Sequence, residues 1–268
     1  MELQLRDKVV IVTGAGGAIG SVVADMAGRR GAKLVLVDRS GEALAAAVER
    51  ARIAGAEAVA ITADVSHEED VAAMVARCRE RFGRLDGLVS TVGIEGPLLG
   101  LSDYPVQAFD AVMATNVRSC FLGLKHAMPA MAAGGGGAIV NLASISGLIG
   151  NPDAAAYVAS KHAVIGLTRA AAAEGGRAGV RVNCVAPGPI ESPMMETFEA
   201  EQSSGGASVR RWYEAHTPLG RFGTAAEAAE LIVFLLSDAA RFMTGGVHVV
   251  DGGLTAVGRP PQAGSSRP

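Results

Sequence analysis

Residues 9–20 read Val9-Val10-Ile11-Val12-Thr13-Gly14-Ala15-Gly16-Gly17-Ala18-Ile19-Gly20. An apolar run of this kind predicts a buried β-strand, and the glycines after it permit a tight turn into a helix. In such a turn the backbone N–H groups and the positive helix N-terminus can contact a pyrophosphate. Glycine turns also occur where a strand only packs against a helix. The pattern predicts a dinucleotide phosphate site formed by Gly14, Gly16, Gly17, Ala18, Ile19 and Gly20.

Asp38 is a second, independent sign of such a site, since it ends the next apolar run roughly twenty residues further on. A carboxylate at this place binds the ribose hydroxyls of NAD and repels the 2′-phosphate of NADP. Arg39 follows directly, and a guanidinium there could receive a 2′-phosphate. We therefore predict that Asp38 and Arg39 contact the cofactor, with NAD preferred and NADP the less favoured alternative.

Short runs rich in Val, Ile and Leu alternate along the chain with longer Ala-, Arg- and Glu-rich stretches of helical period. Strands buried on both faces and separated by helices must be parallel and joined by right-handed crossovers. The sequence thus predicts an α/β fold, a single-domain Rossmann-type doubly wound parallel sheet with helices on both faces. The predicted strands are 9–12, 34–37, 58–61, 87–90, 138–142, 181–185 and 247–250.

The domain organisation is predicted to be simple. The chain has 268 residues, 49% of them hydrophobic, which is enough to bury a full core. Residues 1–257 contain no Pro- or Ser-rich linker and are predicted to form one dinucleotide-binding catalytic domain. Between residues 191 and 217 the pattern weakens into mixed Met, aromatic, Ser and Gly residues, which predicts a mobile substrate lid. Residues 258–268 are rich in Gly, Pro and Ser and are predicted to be a flexible tail.

Charge and composition argue against several classes of partner. The formal net charge is −3, and Lys and Arg are scattered among acids, so we expect no nucleic-acid partner. The 3 cysteines and 5 histidines are too dispersed to predict a disulfide framework or a metal cluster. The N-terminus has no signal-peptide pattern, and no strongly apolar run approaches the roughly 20 residues that cross a bilayer. We expect a soluble cytoplasmic protein with neither metal nor membrane partner.

Tyr157 and Lys161 are four residues apart, so on a helix they share one face. A cation about 4 Å from a phenol would favour the phenolate by roughly 4 kcal/mol at an effective dielectric constant of about 20. This interaction is expected to lower the pKa of Tyr157 from about 10 toward the physiological range. The pair therefore predicts proton transfer by a tyrosine in a redox enzyme.

Together these features resemble the short-chain dehydrogenase/reductase family over residues 5–254. Tyr-x-x-x-Lys alone occurs by chance in many helices, whereas the whole set in register is highly specific. The matching elements, in order, are Thr13-Gly14 to Gly20, Asp64-Val65, Asn116, Ser144, Tyr157, Lys161, Pro187-Gly188 and Asp251-Gly252-Gly253.

The resemblance implies a catalytic tetrad. Tyr157 would be the general acid or base, and Lys161 would lower its pKa and hold the nicotinamide ribose. Ser144 would fix the substrate oxygen, and Asn116 would order a water for proton relay. A carbonyl that gains hydride becomes an alkoxide, which needs a proton donor and a hydrogen-bond donor on its oxygen. Tyr157 and Ser144 would meet that need.

The resemblance also implies further cofactor contacts. Asp64 and Val65 would flank the adenine, Pro187, Gly188 and Ile190 would lie against the nicotinamide, and Gly93 would allow close approach of the cofactor. Asp64 could equally be a turn acid at the start of a helix, and Ile190 could be ordinary apolar packing.

The chain departs from the family pattern at three places. After Pro187-Gly188, Ser192 stands where the family commonly has Thr, a change that keeps the hydroxyl. Ala18 replaces a glycine of the fingerprint, a change that is compatible with a helical backbone. Residues 90–93 read Ser-Thr-Val-Gly where the family reads Asn-Asn-Ala-Gly, which removes two side-chain amides and alters the local hydrogen bonding.

Positions beyond strand ends or in the predicted lid should face the substrate, and most of them are apolar. They suit a small hydrophobic secondary alcohol or ketone, alicyclic or aromatic, with Glu95 or Asn151 available for one polar group. The predicted substrate residues are Ile94, Glu95, Leu98, Ser144, Ser146, Leu148, Ile149, Asn151, Gly188, Met194, Met195, Phe198 and Trp212.

The leading hypothesis is an NAD-dependent oxidoreductase that interconverts such an alcohol and ketone by hydride transfer. One alternative is an NADPH-dependent 3-oxoacyl thioester reductase, and another is a non-catalytic dinucleotide-binding regulatory protein. The family resemblance also implies a homotetramer, built through the helices after Asn116 and around Tyr157 and through the final strand region.

Overall fold

The computed structural model describes residues 5–201 and 207–256 and contains one sheet of seven parallel strands. In chain order the strands are β1 (Val9–Thr13), β2 (Lys33–Asp38), β3 (Ala58–Thr62), β4 (Gly87–Ser90), β5 (Gly137–Leu142), β6 (Val180–Pro187) and β7 (Val247–Val250). Their order across the sheet is β3-β2-β1-β4-β5-β6-β7. Every strand predicted from the sequence is present, and the predicted doubly wound α/β fold is confirmed.

Helices connect the strands on both faces of the sheet. In chain order they are α1 (Ala18–Arg29), α2 (Gly41–Ile53), α3 (Glu68–Phe82), α4 (Val106–Met113), α5 (Ser119–Ala133), α6 (Ala155–Gly175), α7 (Pro193–Glu201), α8 (Ala207–His216) and α9 (Ala225–Leu236). Short 3-10 segments occur at Leu101–Asp103, Ile145–Gly147, Gly176–Ala178 and Asp238–Ala240.

Alternation of side chains along β1 divides the core between the two faces of the sheet. Val10 and Val12 pack in the cluster that includes the buried residues of α1, α2 and α9. Val9 and Ile11 pack in the other cluster, with α3, α5 and α6. All four side chains are essentially inaccessible, and burial of each stabilises the fold by about 1.5–3 kcal/mol. This central strand therefore holds the turn that follows it in a fixed place.

A functional crevice is created where the order of the strands reverses. β1 pairs with β2 on one side and with β4 on the other, so the connections that leave β1 and β4 run in opposite directions. Ligands of doubly wound sheets bind at such a switch point, beyond the carboxyl ends of the strands. Gly14, Asp38, Ser144 and Gly188 each stand at or just after the carboxyl end of a strand.

A π-helical turn, Ala114–Arg118, joins α4 and α5 into one continuous helical segment. Such turns are rare and are found mostly at functional sites. It places Asn116, which is 2% exposed, in the wider turn. The sequence pattern did not indicate this change of helical register.

The predicted lid region contains helices α7 and α8, and its function as a lid remains a prediction. Residues 258–268, predicted to be a flexible tail, lie outside the described residues. Among the helices of residues 5–201 and 207–256, none combines the length and the apolar character needed to cross a bilayer.

Candidate active site

The glycine turn after β1 leaves its backbone close to neighbouring groups. Gly14 has φ +70°, and a Cβ there would lie 2.6 Å from Thr91 Oγ1. Gly17 precedes α1 without a side-chain cap, so the first N–H groups of the helix are available to an anion. Ala18 and Ile19 open α1, and Gly20 has no room for a side chain over the Gly14 carbonyl. The turn can therefore hold a pyrophosphate against bare backbone.

Asp38 at the end of β2 is tied to this turn. Its Oδ2 accepts a hydrogen bond from the Gly16 N–H (2.9 Å), and its Oδ1 accepts one from the Ser40 N–H (3.0 Å). Both carboxylate oxygens are therefore oriented, and each retains lone pairs for a ribose hydroxyl. Arg39 is exposed beside Asp38, where a guanidinium could reach a 2′-phosphate.

Thr91, at a position where the family has an amide, forms hydrogen bonds with the end of β1. Its Oγ1 donates to the Thr13 carbonyl (2.7 Å) and lies 3.3 Å from the Gly14 carbonyl. The Thr91 N–H also bonds the Thr13 carbonyl (3.3 Å). These contacts join the ends of β1 and β4, so the departure from the family pattern leaves the crevice connected.

Asp64 forms the turn that precedes α3. Its Oδ1 accepts hydrogen bonds from the Ser66 N–H (2.9 Å) and hydroxyl (2.7 Å), and these bonds lower the pKa of the carboxyl. Asp64 is thus a turn acid, as the alternative interpretation of this residue predicted. Val65 beside it is buried. The contact of Asp64 and Val65 with an adenine stays a prediction.

Asn116 connects the loop after β4 to helix α6. Its Nδ2 donates to the Ile94 carbonyl (2.9 Å) and to Ser160 Oγ (2.9 Å), and its Oδ1 accepts from the Ile94 N–H (2.8 Å). Ser160 Oγ in turn donates to the Tyr157 carbonyl (2.8 Å). Both amide protons are used, so only the second lone pair of Oδ1 remains for a water molecule.

Ser144 caps the short helix Ile145–Gly147 and lies next to Tyr157. Its Oγ accepts a hydrogen bond from the Ser146 N–H (3.1 Å), which leaves its own proton for another acceptor. A hydrogen bond with Ser144 lowers the pKa of Tyr157. Ser146 is buried, and its Oγ accepts from Asn151 Nδ2 (2.9 Å). The segment therefore presents an oriented hydroxyl beside a phenol.

Lys161 is 3% exposed, and its Nζ donates to the Leu142 carbonyl (2.9 Å). The ammonium lies 5.4 Å from the centre of the Tyr157 ring. Burial lowers the pKa of Lys161 to about 8, although the nearby Cys120, Glu95 and Cys184 act in the opposite direction. A Cβ on Gly93 would lie 3.3 Å from this Nζ and 3.4 Å from Asn116 Oδ1, so a side chain there would crowd both groups.

The predicted net lowering of the Tyr157 pKa was wrong in direction, because the pKa of this phenol is raised. Burial is the largest influence and raises the pKa of Tyr157, the Glu95 carboxylate raises it further, and the Ser144 bond only partly offsets them. Spacing along a helix revealed the shared face of Tyr157 and Lys161 but not the cost of enclosing both groups. In this structure the phenol is protonated at neutral pH, as a proton donor must be.

Ser144, Tyr157 and Lys161 line one open cleft of about 150 Å³ beyond the carboxyl ends of the strands. The cleft brings together many of the residues predicted from the sequence. Those that line it are Ile19, Gly93, Glu95, Ser144, Ser146, Asn151, Tyr157, Lys161, Pro187, Gly188, Ile190, Met194 and Met195.

Comparison with known proteins agrees with this geometry. The family model adh_short_C2, described as Enoyl-(Acyl carrier protein) reductase, matches residues 14–255. A levodione reductase from Leifsonia aquatica is 40% identical over 259 residues, which cover 94% of this chain and 96% of the relative. The chain belongs to the short-chain dehydrogenase/reductase family. The resemblance inferred from the sequence is therefore confirmed.

Solved structures and a further relative extend the match across the family. A crystal structure of levodione reductase has a TM-score of 0.93 at 38% identity, covering 95% of this chain and 100% of that one. The NAD+-bound xylitol dehydrogenase structure has a TM-score of 0.89 at 34% identity, and the match covers 92% of this chain and 99% of that one. Cyclohexanol dehydrogenase from Acinetobacter sp. (strain SE19) is 37% identical over 256 residues, which cover 96% of this chain and 98% of the relative. As a member of this family the protein is an oxidoreductase that acts on CH–OH groups.

Some predicted substrate residues of this short-chain dehydrogenase/reductase lie outside the cleft lining. Leu148 and Ile149 are 40% and 41% exposed, and Trp212 is 46% exposed with its ring stacked on His216. Ile94 contributes its backbone to Asn116. Leu98 is half-buried and absent from the lining, and the side chain of Phe198 is outside the described part.

Tyr213 enters the cleft of this family member instead of Trp212. Adjacent residues of a helix point about 100° apart, so only one of two neighbouring aromatic residues can face the substrate. The Tyr213 ring packs edge-on against Trp212 and Phe222. In the sequence, only the spacing of apolar residues along α8 could have indicated that Tyr213 and not Trp212 faces the cleft. The other lining residues missed from the sequence are Thr91, Leu142, Ala143, Ile145, Ala154, Pro189 and Ser192.

Arg210 anchors this part of the α8 helix. Its guanidinium forms two hydrogen bonds with the Glu191 carboxylate (2.9 and 3.0 Å) and lies 3.1 Å from Glu199 Oε1. It also lies 4.2 Å from the centre of the Phe222 ring. Hydrogen bonding to Glu191 raises the pKa of Arg210 above its ordinary value. Arg210 thus connects α8 to α7 and to the segment that follows β6.

In the part of the chain that the structure describes, no group of three or more His, Cys, Asp or Glu side chains is arranged to hold a metal ion. Cys78, Cys120 and Cys184 are buried thiols, and burial raises their pKa values.

Proposed function

We propose that the protein is an NAD-dependent dehydrogenase that interconverts a small, mainly hydrophobic secondary alcohol and its ketone, alicyclic or aromatic. The observation that supports this most directly is the convergence of Ser144, Tyr157 and Lys161 in one cleft, next to the glycine turn. The named relatives include a levodione reductase and a cyclohexanol dehydrogenase, which is consistent with a cyclic substrate.

The residues around the crevice fit a dinucleotide. The uncapped start of α1 and the bare backbone of Gly14 and Gly16 suit a pyrophosphate, and the oriented carboxylate of Asp38 suits ribose hydroxyls. Lys161 and the segment Pro187–Gly188 border the same cleft and would hold the nicotinamide end. NAD, when bound, would supply the hydride acceptor for alcohol oxidation, and NADH the donor for ketone reduction.

NAD is the proposed cofactor because the Asp38 carboxylate stands at the end of β2, where a second phosphate would be repelled. The NAD+-bound state of the related xylitol dehydrogenase supports the same choice. The exposed guanidinium of Arg39 is the one nearby feature that favours NADP.

Proton transfer is assigned to Tyr157. In the direction of ketone reduction the Tyr157 hydroxyl gives its proton to the substrate oxygen as that oxygen gains negative charge. The Ser144 hydroxyl, oriented by the Ser146 N–H, donates a hydrogen bond to the same oxygen. In the direction of oxidation Tyr157 receives the proton from the alcohol. The positive charge of Lys161 favours the phenolate that Tyr157 becomes after it has given up its proton.

Asn116 is assigned a positioning role. Its three hydrogen bonds hold Ile94, and with it Glu95, on one wall of the cleft and hold Ser160 beneath Tyr157. The relay water that the resemblance implies would bind the remaining lone pair of Asn116 Oδ1.

Turnover can be tested by following NADH absorbance with a panel of cyclic alcohols, aryl-alkyl alcohols and 3-oxoacyl thioesters, with NADP(H) in parallel. We expect the cyclic alcohols and NAD to give the highest kcat/KM. Faster reduction of the thioesters with NADPH would instead support the 3-oxoacyl thioester reductase alternative. Absence of turnover with every substrate and both cofactors would support the regulatory alternative.

Tyr157→Phe is the matched variant for this test. It removes only the hydroxyl, so kcat should fall by roughly 10²–10⁴-fold while NAD binding, measured by calorimetry, stays within about two-fold. Tyr104→Phe makes the same change at a half-buried residue outside the cleft lining and should leave kcat unaltered. Retention of full activity by Tyr157→Phe would overturn the proposed mechanism.

We also propose a homotetramer that buries the exposed apolar side chains on α4 and α5. Phe109 and Phe121 are 38% and 48% exposed on these helices, and an open groove between α3 and α5 includes Phe121. Surfaces of this kind are commonly covered by a partner. Sedimentation at working concentration should give four times the chain mass of 27.2 kDa, and a one-chain mass would contradict the assembly.

A further inference from the structure

Glu95 and Tyr213 are two polar residues in the cleft that the proposed proton transfer does not use. Glu95 follows β4 and Tyr213 lies on α8, and both line the cleft that contains Ser144 and Tyr157. The Glu95 carboxylate raises the pKa of Tyr213 as well as that of Tyr157, so it lies within electrostatic range of both phenols. Glu95 and Tyr213 are therefore two further polar residues of the cleft beside the Ser144–Tyr157 pair.

The other polar side chains of the cleft wall already make hydrogen bonds within the protein. Thr91 and Ser192 donate their hydroxyls to the Thr13 and Ile190 carbonyls, and Asn151 donates one amide N–H to Ser146 Oγ (2.9 Å). Met194 and Met195 of α7 are apolar. A carboxylate accepts hydrogen bonds and repels anions, whereas a phenol can both donate and accept. A hydroxyl group matches this pair, since it can donate to Glu95 and accept from Tyr213.

We propose that Glu95 and Tyr213 form a recognition site for a second, uncharged hydroxyl group, so that the preferred substrate is a diol or hydroxyketone and not an anion. The inference rests on the proposed alcohol dehydrogenase function. It adds a requirement that the function alone does not contain: one oxygen reacts at Ser144 and Tyr157, while the other is held at Glu95 and Tyr213. Both residues would act on substrate choice, and Glu95 also raises the pKa of Tyr157, an effect that is shared by every substrate.

The test compares three alcohols of one ring size with NAD and the full-length protein. They are cyclohexanol, cyclohexane-1,4-diol, and 4-hydroxycyclohexanecarboxylate as the anion. The measured quantity is kcat/KM for each alcohol, taken as a ratio to that for cyclohexanol, so that any general effect on folding or catalysis cancels. The wild type should prefer the diol to cyclohexanol and should use the carboxylate least.

Two substitutions separate the contributions. Glu95→Gln keeps the shape but removes the charge, so the diol ratio should fall roughly ten-fold and the carboxylate ratio should rise by a similar factor. Tyr213→Phe removes only the hydroxyl, so the diol ratio should fall while the carboxylate ratio does not rise. Two control variants outside the cleft lining should leave both ratios unchanged, namely Glu196→Gln on the exposed side of α7 and Tyr104→Phe.

The outcomes are distinct. Turnover of cyclohexanol by the wild type without a preference for the diol would overturn the inference and leave the proposed function in place. Equal loss of activity toward all three alcohols in Glu95→Gln would also overturn it, since Glu95 would then act on Tyr157 alone. Absence of oxidation of every alcohol by the wild type would overturn the proposed function, and the inference with it.

Discussion

Asn116 and Ile94 exchange two hydrogen bonds, one from Asn116 Nδ2 to the Ile94 carbonyl (2.9 Å) and one from the Ile94 N–H to Asn116 Oδ1 (2.8 Å). The side chain thus pairs with the backbone as a neighbouring strand would. An amide is the side-chain group that can donate and accept in this geometry, because a carboxylate offers only acceptors. The loop that bears Glu95 is fixed to the helical segment by this pair.

Asn116→Asp should therefore destabilise the fold. The Ile94 carbonyl loses its donor and faces a carboxylate oxygen, so the free energy of unfolding should fall by about 2–3 kcal/mol, measured with urea. Gln107→Glu makes the same amide-to-acid change on the exposed side of α4 and serves as the control. Equal stability of the two variants would show that the reciprocal pair contributes nothing.

Asp38→Asn should increase the use of NADP. Asparagine retains an oxygen for the Gly16 N–H but removes the charge that repels a 2′-phosphate, and Arg39 is already in place. The ratio of kcat/KM for NADP to that for NAD should rise roughly ten-fold or more. Asp110→Asn, on the exposed side of α4, controls for the loss of one negative charge. An unchanged ratio in Asp38→Asn would show that Asp38 does not determine the preference between NAD and NADP.

Thr91→Val should weaken cofactor binding. Valine has nearly the shape of threonine but leaves the Thr13 and Gly14 carbonyls without the hydroxyl, so the join between β1 and β4 loosens. Loss of this hydrogen bond, worth about 1 kcal/mol, should raise the Kd for NAD several-fold by calorimetry. Thr91→Ser restores the hydroxyl and should restore affinity. If serine and valine bind NAD equally well, the hydroxyl does not support the turn.

Lys161→Met should remove a pH-dependent component of stability. The pKa of Lys161 is lowered in the folded protein to about 8 from 10.5, so between these values the unfolded chain binds more protons than the folded one. Stability due to this group must then rise with pH across that window, by about 3 kcal/mol in full. The difference in unfolding free energy between wild type and Lys161→Met should grow in the wild type's favour from about pH 7 to about pH 10.

The comparison with the methionine variant is needed because other groups act in the opposite direction. The pKa values of Tyr157 and the buried cysteines are raised by burial, so their contribution to stability declines at alkaline pH. The part of that decline that is due to burial occurs in both proteins and cancels in the difference, whereas Lys161 favours the thiolates of Cys120 and Cys184 only in the wild type. A difference that is constant with pH would mean that Lys161 keeps an ordinary pKa.

Arg210→Met should affect substrate binding more than chemistry. The variant loses the contacts to Glu191 and Glu199 that connect α8 with its neighbours, so Tyr213 is held less firmly over the cleft. Partly exposed ion pairs contribute at most about 1 kcal/mol each, so KM should rise several-fold and kcat should stay within about two-fold. Arg210→Lys keeps the charge without the bidentate contact, so its KM should lie between those of the wild type and Arg210→Met. An equal fall in kcat would place Arg210 in the chemical step instead.

The sequence was sufficient to predict the sheet because its strands are buried on both faces and therefore apolar throughout. The predicted 34–37 run became Lys33–Asp38, and the predicted 181–185 run became Val180–Pro187, since the strands extend to polar or proline ends. The place of the cleft followed from strand order.

Properties that depend on packing could not be predicted. The direction of the Tyr157 pKa shift depends on how deeply the phenol is enclosed and on Glu95, which is distant in sequence. The choice of Tyr213 over Trp212 depends on the rotation of α8 relative to the cleft. The hydrogen bonding of Thr91 depends on which carbonyls the end of β1 presents to the neighbouring strand.

The π-helical turn at Ala114–Arg118 interrupts the α-helical repeat of the continuous helix from Val106 to Ala133. Side chains before the turn and side chains after it therefore follow two different helical registers. Removal of one residue there would restore an ordinary α-helical repeat and rotate everything on one side by about 100°. Asn116 would then point away from Ile94, although every residue needed for the contact would still be present. This short segment should accordingly tolerate substitutions far better than insertions or deletions. A relative with a gap within it would lack the contact between Asn116 and Ile94.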